Sequence, residues 1–159
     1  LRKNPGGLFE TAVSTADRFL PTGTRVVTVR GPKGDEHHDT SETHPWEEVP
    51  MVVLVGKKTA SGAEILAAAL GEHDRAMVVG EPTFGKGTVE AIHELDNGWA
   101  LKLSKARFFA PGSEDEHVPG VIPHIEVQSA DGVPDGTIDE VHVDGDAPLK
   151  AAVELLAKR

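Results

Sequence analysis

Residues 51–87 read MVVLVGKKTA SGAEILAAAL GEHDRAMVVG EPTFGKG, and this stretch decides the fold class. Met51 to Val55 is a continuous apolar run, the pattern of a strand covered on both faces. Ser61 to Leu70 is rich in Ala and Leu, which predicts a helix. Ala76 to Val79 forms a second short buried strand. Glu81 to Gly87 must then be a loop, because Pro82, Gly85 and Gly87 crowd it.

Working towards the N-terminus, Arg25 to Arg30 reads as a β-branched strand. Before it, Leu8, Phe9, Ala12, Val13, Ala16, Phe19 and Leu20 recur at helical spacing, after a turn at Asn4-Pro5-Gly6-Gly7. Residues 31–50 are polar and His-rich, with Trp46 as the one large apolar side chain, and read as a long surface loop or insertion. Working towards the C-terminus, two strands flank Asp96-Asn97-Gly98, a strong hairpin signal. Lys105 to Ala110 reads as a further strand and Val121 to Val127 as one more. Leu149 to Ala157 closes as a helix with Ala151, Ala152, Leu155 and Leu156 turned inward. Helices interleave with apolar strands and no repeat appears, so the class is α/β, a layered sheet packed by helices.

Composition narrows the function. The 159 residues suit one domain, and 38% hydrophobic residues supply one core. No apolar run is long enough to span a membrane. With 26 acidic against 16 basic residues the net charge is -10, which argues against nucleic acid as partner. The absence of cysteine removes disulfides, thiolate zinc sites and cysteine nucleophiles. The chain opens at Leu1 without a signal-peptide pattern, so it is expected to be a piece of something longer.

Two residues carry candidate chemistry. Ser61 sits where strand turns into helix, beside free N–H groups and the positive end of a helix dipole, a setting that favours an oxyanion. Lys86, between two glycines in the next loop, could act as its base. A lysine does so only when neutral, which calls for a dry pocket away from carboxylates, and Phe84 is the nearest side chain that could exclude water. Bringing an amine from about 10.4 towards 7 or 8 costs roughly 3 to 5 kcal/mol. Each has a plainer reading: Ser61 with Glu64 makes a capping box, and Lys86 can be an exposed loop lysine. Residues 80–86 also match the G-x-x-x-x-G-K of a phosphate loop. There Gly87 replaces the Ser or Thr that would hold magnesium, and a strand follows where a helix is required. His37, His38 and His44 with Asp35, Glu36 and Asp39 offer zinc or nickel donors, but their spacing matches no defined site. They read as a solvated loop; no metal and no cofactor are expected.

Taken together these motifs resemble the carboxyl-terminal processing peptidases, also called tail-specific proteases. Residues 1–8, LRKNPGGL, resemble the family's opening; residues 59–65, TASGAEI, its nucleophile segment; residues 80–87, GEPTFGKG, its lysine loop. Lys86 follows Ser61 by 25 residues (86 − 61), as in the family. Ala100-Leu101-Lys102-Leu103, Ala106-Arg107-Phe108-Phe109, Gly120-Val121-Ile122-Pro123 and Pro148-Leu149-Lys150-Ala151-Ala152 extend the likeness over most of the chain outside 31–50. The resemblance implies a ClpP/crotonase-like protease core, here a partial core over 1–159 without the N-terminal region and PDZ domain. It implies a serine endopeptidase with Ser61 as nucleophile and Lys86 as base. The oxyanion hole would come from the Gly62 N–H and that of Gly7 or Gly6, Gly7 being favoured. It also implies unfolded or tail-exposed protein substrates, an extracytoplasmic location, and a homo-oligomer as one open option.

The pattern has departures. Some family members have a lysine-orienting glutamine where this chain has Glu90, whose carboxylate would hold Lys86 protonated. The acidic residue implicated in some members corresponds to Glu72, which also reads as a solvated helix end. His124 stands where the family usually has aspartate. A non-catalytic relative acting as a peptide- or ligand-binding module is the alternative. A crotonase-type acyl-CoA enzyme shares fold features but has no need of a Ser-Lys pair.

Overall fold

The structure, a computed structural model, describes residues 1–44, 46–113, 120–129 and 145–158. In chain order the elements are α1 (Phe9–Asp17), β1 (Arg25–Gly31), β2 (Gly34–Asp39), β3 (Val52–Val55), α2 (Gly62–Glu72), β4 (Met77–Gly80), β5 (Thr88–Glu94), β6 (Ala100–Phe109), β7 (Ile125–Glu126) and α3 (Ala147–Leu156). They build two sheets. One is antiparallel with order β2-β1-β6-β5, the other parallel with order β3-β4-β7. Helix α2 packs on both β1 and β4 and so joins the sheets, with α1 beside it, while α3 packs on β3 and β4.

The central helix explains the layering. Gly62, Ala63, Ile65, Ala67, Ala69, Leu70 and Gly71 of α2 are all buried, so it is apolar nearly all round. Such a helix needs partners on every side, and Val26 and Val27 of β1 and Val78 of β4 join its core cluster. Small residues allow close approach, as Gly71 does where the Val78 side chain and the His124 ring press on it.

The expected α/β class holds, and three local expectations change. Within the supposed 31–50 loop, residues 34–39 form β2, paired antiparallel with β1 from Gly31↔Gly34 to Arg25↔Asp39. Its sequence GDEHHD has little strand propensity. Side-chain pairing supplies what propensity lacks: Arg30 grips Asp35 with two 2.8 Å bonds, Arg25 pairs with Asp39, and Phe9 packs edge-on against His38. A polar edge strand of this kind also discourages sheet-to-sheet association. Second, Lys105 to Ala110 is no separate strand but the end of β6. No turn residue interrupts residues 100–109, and a bulge opposite Val89/Glu90 lets the strand bend from β5 onto β1. Third, the periodic stripes are shorter than their patterns. Leu8 is 74% exposed just before α1, and Leu156 is 38% exposed at the end of α3.

Glycine is obligatory at the end of β4. Gly80 has φ 133°, and a Cβ there would lie 2.0 Å from the Val55 carbonyl oxygen across the parallel ladder. Replacing Gly80 by Ala is therefore expected to destabilise the protein by about 3 kcal/mol or more. Urea unfolding of the variant beside the parent measures this, and an unchanged midpoint contradicts it.

Candidate active site

Ser61 precedes α2 with φ 55° and ψ −124°, a strained backbone for a residue with a side chain. Several contacts hold it there. The Ala60 N–H bonds to the Asn4 carbonyl at 3.0 Å, and the Ser61 N–H bonds to Glu64 Oε2 at 2.8 Å. Gly6 lies so close that a Cβ on it would sit 2.8 Å from Ser61 Cβ. Ser61 and Glu64 form a capping box: the Ser61 side chain faces the Glu64 N–H, short of a full side-chain cap bond, and the Glu64 carboxylate accepts the Ser61 N–H. The cap alone does not account for the strain, and a strained serine on a strand-to-helix turn is a setting in which nucleophiles occur.

Glu64 organises more than the cap. It is 3% exposed, and its carboxylate accepts the Ser61 N–H, the Lys86 N–H at 2.9 Å, the Gly85 N–H at 2.7 Å and the Thr83 hydroxyl at 2.5 Å. The Ser61 and Lys86 nitrogens share Oε2, so they lie within two hydrogen-bond lengths of each other. Thr83 in turn accepts the Val121 N–H at 2.7 Å, tying in the segment that leads to β7. Sequence reading assigns Glu64 only a cap. The available signal is that it is the one charged residue in an otherwise apolar stretch, Gly62 to Gly71, and such a residue needs several donors to be buried.

The N-terminal turn supplies the candidate oxyanion donors. The Gly6 N–H is taken by Asn4 Oδ1 at 2.9 Å, which rules Gly6 out as a free donor. Among the described residues the N–H groups of Gly7 and Gly62 have no protein acceptor, and a Cβ on Gly62 would lie 3.6 Å from the Gly7 nitrogen. The two donors are therefore neighbours beside Ser61.

Lys86 is placed less as the chemistry requires. Its side chain is 36% exposed, and its Nζ lies 3.0 Å from Glu90 Oε2 rather than bonding the Ser61 hydroxyl. The expected dry, carboxylate-free setting is absent, and Phe84, 69% exposed, does not shield it. An apolar cavity of about 50 Å³ does lie against the Lys86 loop, with Val26, Ile65, Phe108 and Val121 among its walls. Glu90 also meets Lys102 at 2.7 Å. Hydrogen bonds from Lys102 and then Lys86 hold its carboxyl below the usual carboxylate range. Glu72 is the exposed last residue of α2, about 16 Å along the helix from Ser61 at 1.5 Å per residue, so it does not reach Lys86. His124 has a structural use: its Nδ1 accepts the Val78 N–H at 2.9 Å. His37 likewise meets Arg25 and Thr28, and the described residues contain no three-residue group able to hold a metal.

Two sheets joined by a buried helix, with a strained serine at its start and a lysine loop bound to its first turn, define a layered α/β core. The profile of peptidase family S41 matches residues 1–127, and the chain belongs to that family. It is 36% identical over 156 residues to a carboxyl-terminal-processing protease of Synechocystis, covering 98% of this chain and 35% of that protein. To carboxy-terminal processing protease CtpA of Bacillus subtilis it is 38% identical, covering 82% and 28%. The chain thus spans about a third of these relatives. Among solved structures, the photosystem II D1 C-terminal processing protease superposes with TM-score 0.72 and 32% identity, over 80% of this chain and 33% of that one. A Bacteroides fragilis S41 protease shares the fold with TM-score 0.75 at 16% identity, over 99% and 43%.

Removing the Glu64 carboxylate strands three N–H groups and a hydroxyl in the protein interior. Glu64→Ala is expected to cost about 2 to 5 kcal/mol of stability. Glu64→Gln keeps the volume but turns one acceptor into a donor facing donors, so activity should fall more than stability. Melting curves and peptidase assays of both variants check this; full activity in Glu64→Gln would contradict it.

Proposed function

We propose that this chain carries the catalytic groups of a serine endopeptidase that cleaves proteins near their carboxyl-terminal tails. The observation that carries the reading is the Glu64 carboxylate, one oxygen of which binds the peptide nitrogens of both Ser61 and Lys86. A structural cap has no need to bind a second loop, whereas a two-residue catalytic unit needs its backbones fixed together.

In this reading Ser61 Oγ attacks the scissile carbonyl carbon as its proton passes to Lys86 Nζ. The oxygen of the tetrahedral intermediate takes charge and receives the N–H groups of Gly7 and Gly62. Collapse breaks the C–N bond, and Lys86 returns the proton to the leaving amine. Water then attacks the ester on Ser61 as Lys86 takes its proton, the C–Oγ bond breaks, and Lys86 passes that proton to Ser61 Oγ, regenerating the hydroxyl and the neutral amine. The aliphatic carbons of Lys86 need only rotate, because its main chain is already held. The proposed substrates are unfolded or tail-exposed proteins, and the proposed setting is extracytoplasmic, both by family likeness. Since the chain spans about a third of its relatives, selection of tails is expected to need the longer protein.

A second reading, a non-catalytic relative that binds peptides, is favoured by one feature: Lys86 Nζ pairs with Glu90 and makes no bond to the Ser61 hydroxyl.

The two readings separate in the full-length protein on an unfolded substrate. Ser61→Ala and Lys86→Ala are each expected to lower kcat/KM by about a thousandfold or more, with melting temperatures unchanged. Retained activity in either variant would reject its proposed role, and a wild-type protein with no activity but measurable peptide binding would favour the second reading.

A further inference from the structure

Two ammonium groups share a single carboxylate oxygen at this site. Glu90 Oε2 lies 3.0 Å from Lys86 Nζ and 2.7 Å from Lys102 Nζ. Lys102 is on β6 opposite Ile92, so it reaches Glu90 diagonally across the β5–β6 ribbon. Both lysines are partly in water, with side chains 36% and 58% exposed.

We infer that Glu90 and Lys102 form a charge latch on the proposed general base. Glu90 holds Lys86 away from Ser61 as an ammonium ion, and Lys102 loosens that hold by competing for the same oxygen. The inference rests on the reading of Lys86 as base. It adds a regulatory pair outside the reacting atoms, and Glu90 and Lys102 are positioning residues that act through Lys86.

Among the charges around the latch, Glu94 of β5, opposite Ala100, shares the face of Glu90 and is, like Glu90, diagonal to Lys102. Glu64 of α2 touches the Lys86 main chain but is engaged with its four donors. On β6, Lys105 falls at the bulge and Arg107 sits opposite Thr88. His93 of β5 pairs with Leu101, three positions along from the Glu90–Ser104 pair and therefore on the other face. The lowered carboxyl of Glu90, caused first by Lys102 and then by Lys86, keeps it anionic above the acid range. Its pairing is present above the ordinary carboxylate value and is lost only as pH falls through the lowered one. Near neutral pH the latch therefore opens by exchange of partners, not by protonation of Glu90. An exposed pair is weak and screened by salt, so substrate or another part of the protein can open it.

The test uses the full-length protein with an uncharged peptide substrate. The pH profile of kcat/KM is measured at low and high salt for wild type, Glu90→Gln and Lys102→Met, with Lys86→Ala as control. Glu90→Gln is expected to raise kcat/KM at pH 7 by about two- to fivefold and to move the acid limb to lower pH. Lys102→Met should move that limb the other way, since Glu90 then serves Lys86 alone. Added salt should raise wild-type activity and leave Glu90→Gln unchanged. The latch is refuted if Glu90→Gln is slower, if both variants move the limb in one direction, or if neither moves it while Lys86→Ala is inactive. An active Lys86→Ala would instead remove the general-base reading, and the latch with it. Should Glu90→Gln fold poorly, Lys102→Met and the wild-type salt response decide alone.

Discussion

Everything at the site hangs from one buried carboxylate. Glu64 stands in the first turn of a helix that is otherwise apolar, and it binds main-chain nitrogens from the turn just before that helix and from the distant lysine loop, together with a threonine hydroxyl of that loop. Cut that carboxylate out and the serine turn keeps only its contacts with Asn4 and Gly6, while the lysine loop keeps only the Phe84 N–H to Thr59 carbonyl bond beside the helix start. The Thr83 hydroxyl passes the connection to Val121, and the strand that follows is stapled to β4 through His124 and the Val78 N–H. A chain of hydrogen bonds thus runs from the site to the edge of the parallel sheet.

A buried acid is costly unless its oxygens are fully used, and here four donors converge on two oxygens. The first turn of a helix adds favourable dipole interaction for a negative group. An apolar residue of the same size would fill the space but would strand the donors, which is the more damaging outcome. The arrangement also explains why the neighbouring residues are so small. Gly6 lies against the serine turn, where a Cβ would come 2.7 Å from the Ala60 carbonyl oxygen, 2.8 Å from Ser61 Cβ and 2.9 Å from the Gly62 nitrogen.

Much of this fold is legible in the sequence, and the exceptions have physical causes. The run MVVLV, the Ala-rich α2 and the Asn97-Gly98 hairpin follow from periodicity and turn chemistry, which act over a few residues. Strand β2 escapes because its stability comes from cross-strand ion pairs and register, neither of which is encoded in GDEHHD alone. The same division runs through the site. The Ser61-to-Glu64 spacing announces a cap, but the reach of Glu64 to Gly85 and Lys86 is a tertiary contact across 21 and 22 residues. The Ser61 dihedrals are likewise set by Asn4 and Gly6, far away in sequence. Glu90 beside Lys86 is the converse case: four residues apart, their attraction is foreseeable, whereas Lys102 joins them only through strand pairing.

The two halves of the site are therefore organised to different degrees, and the difference follows from where each is anchored. The serine turn, the glycine donors and the lysine backbone are fixed to α2, which is locked between the two sheets. The lysine side chain instead takes its bearing from Glu90 and Lys102 on a ribbon whose outer residues, Ile92, Leu95, Trp99, Leu101 and Leu103, are all exposed. Beyond its junction with β1 this ribbon is a two-stranded hairpin, an element that is marginal by itself in water. In the proposed mechanism, rigid donors and a movable base make physical sense together. The oxyanion needs dipoles already in place when charge develops, while an amine can be brought in late, by small rotations, once the ribbon's charges release it.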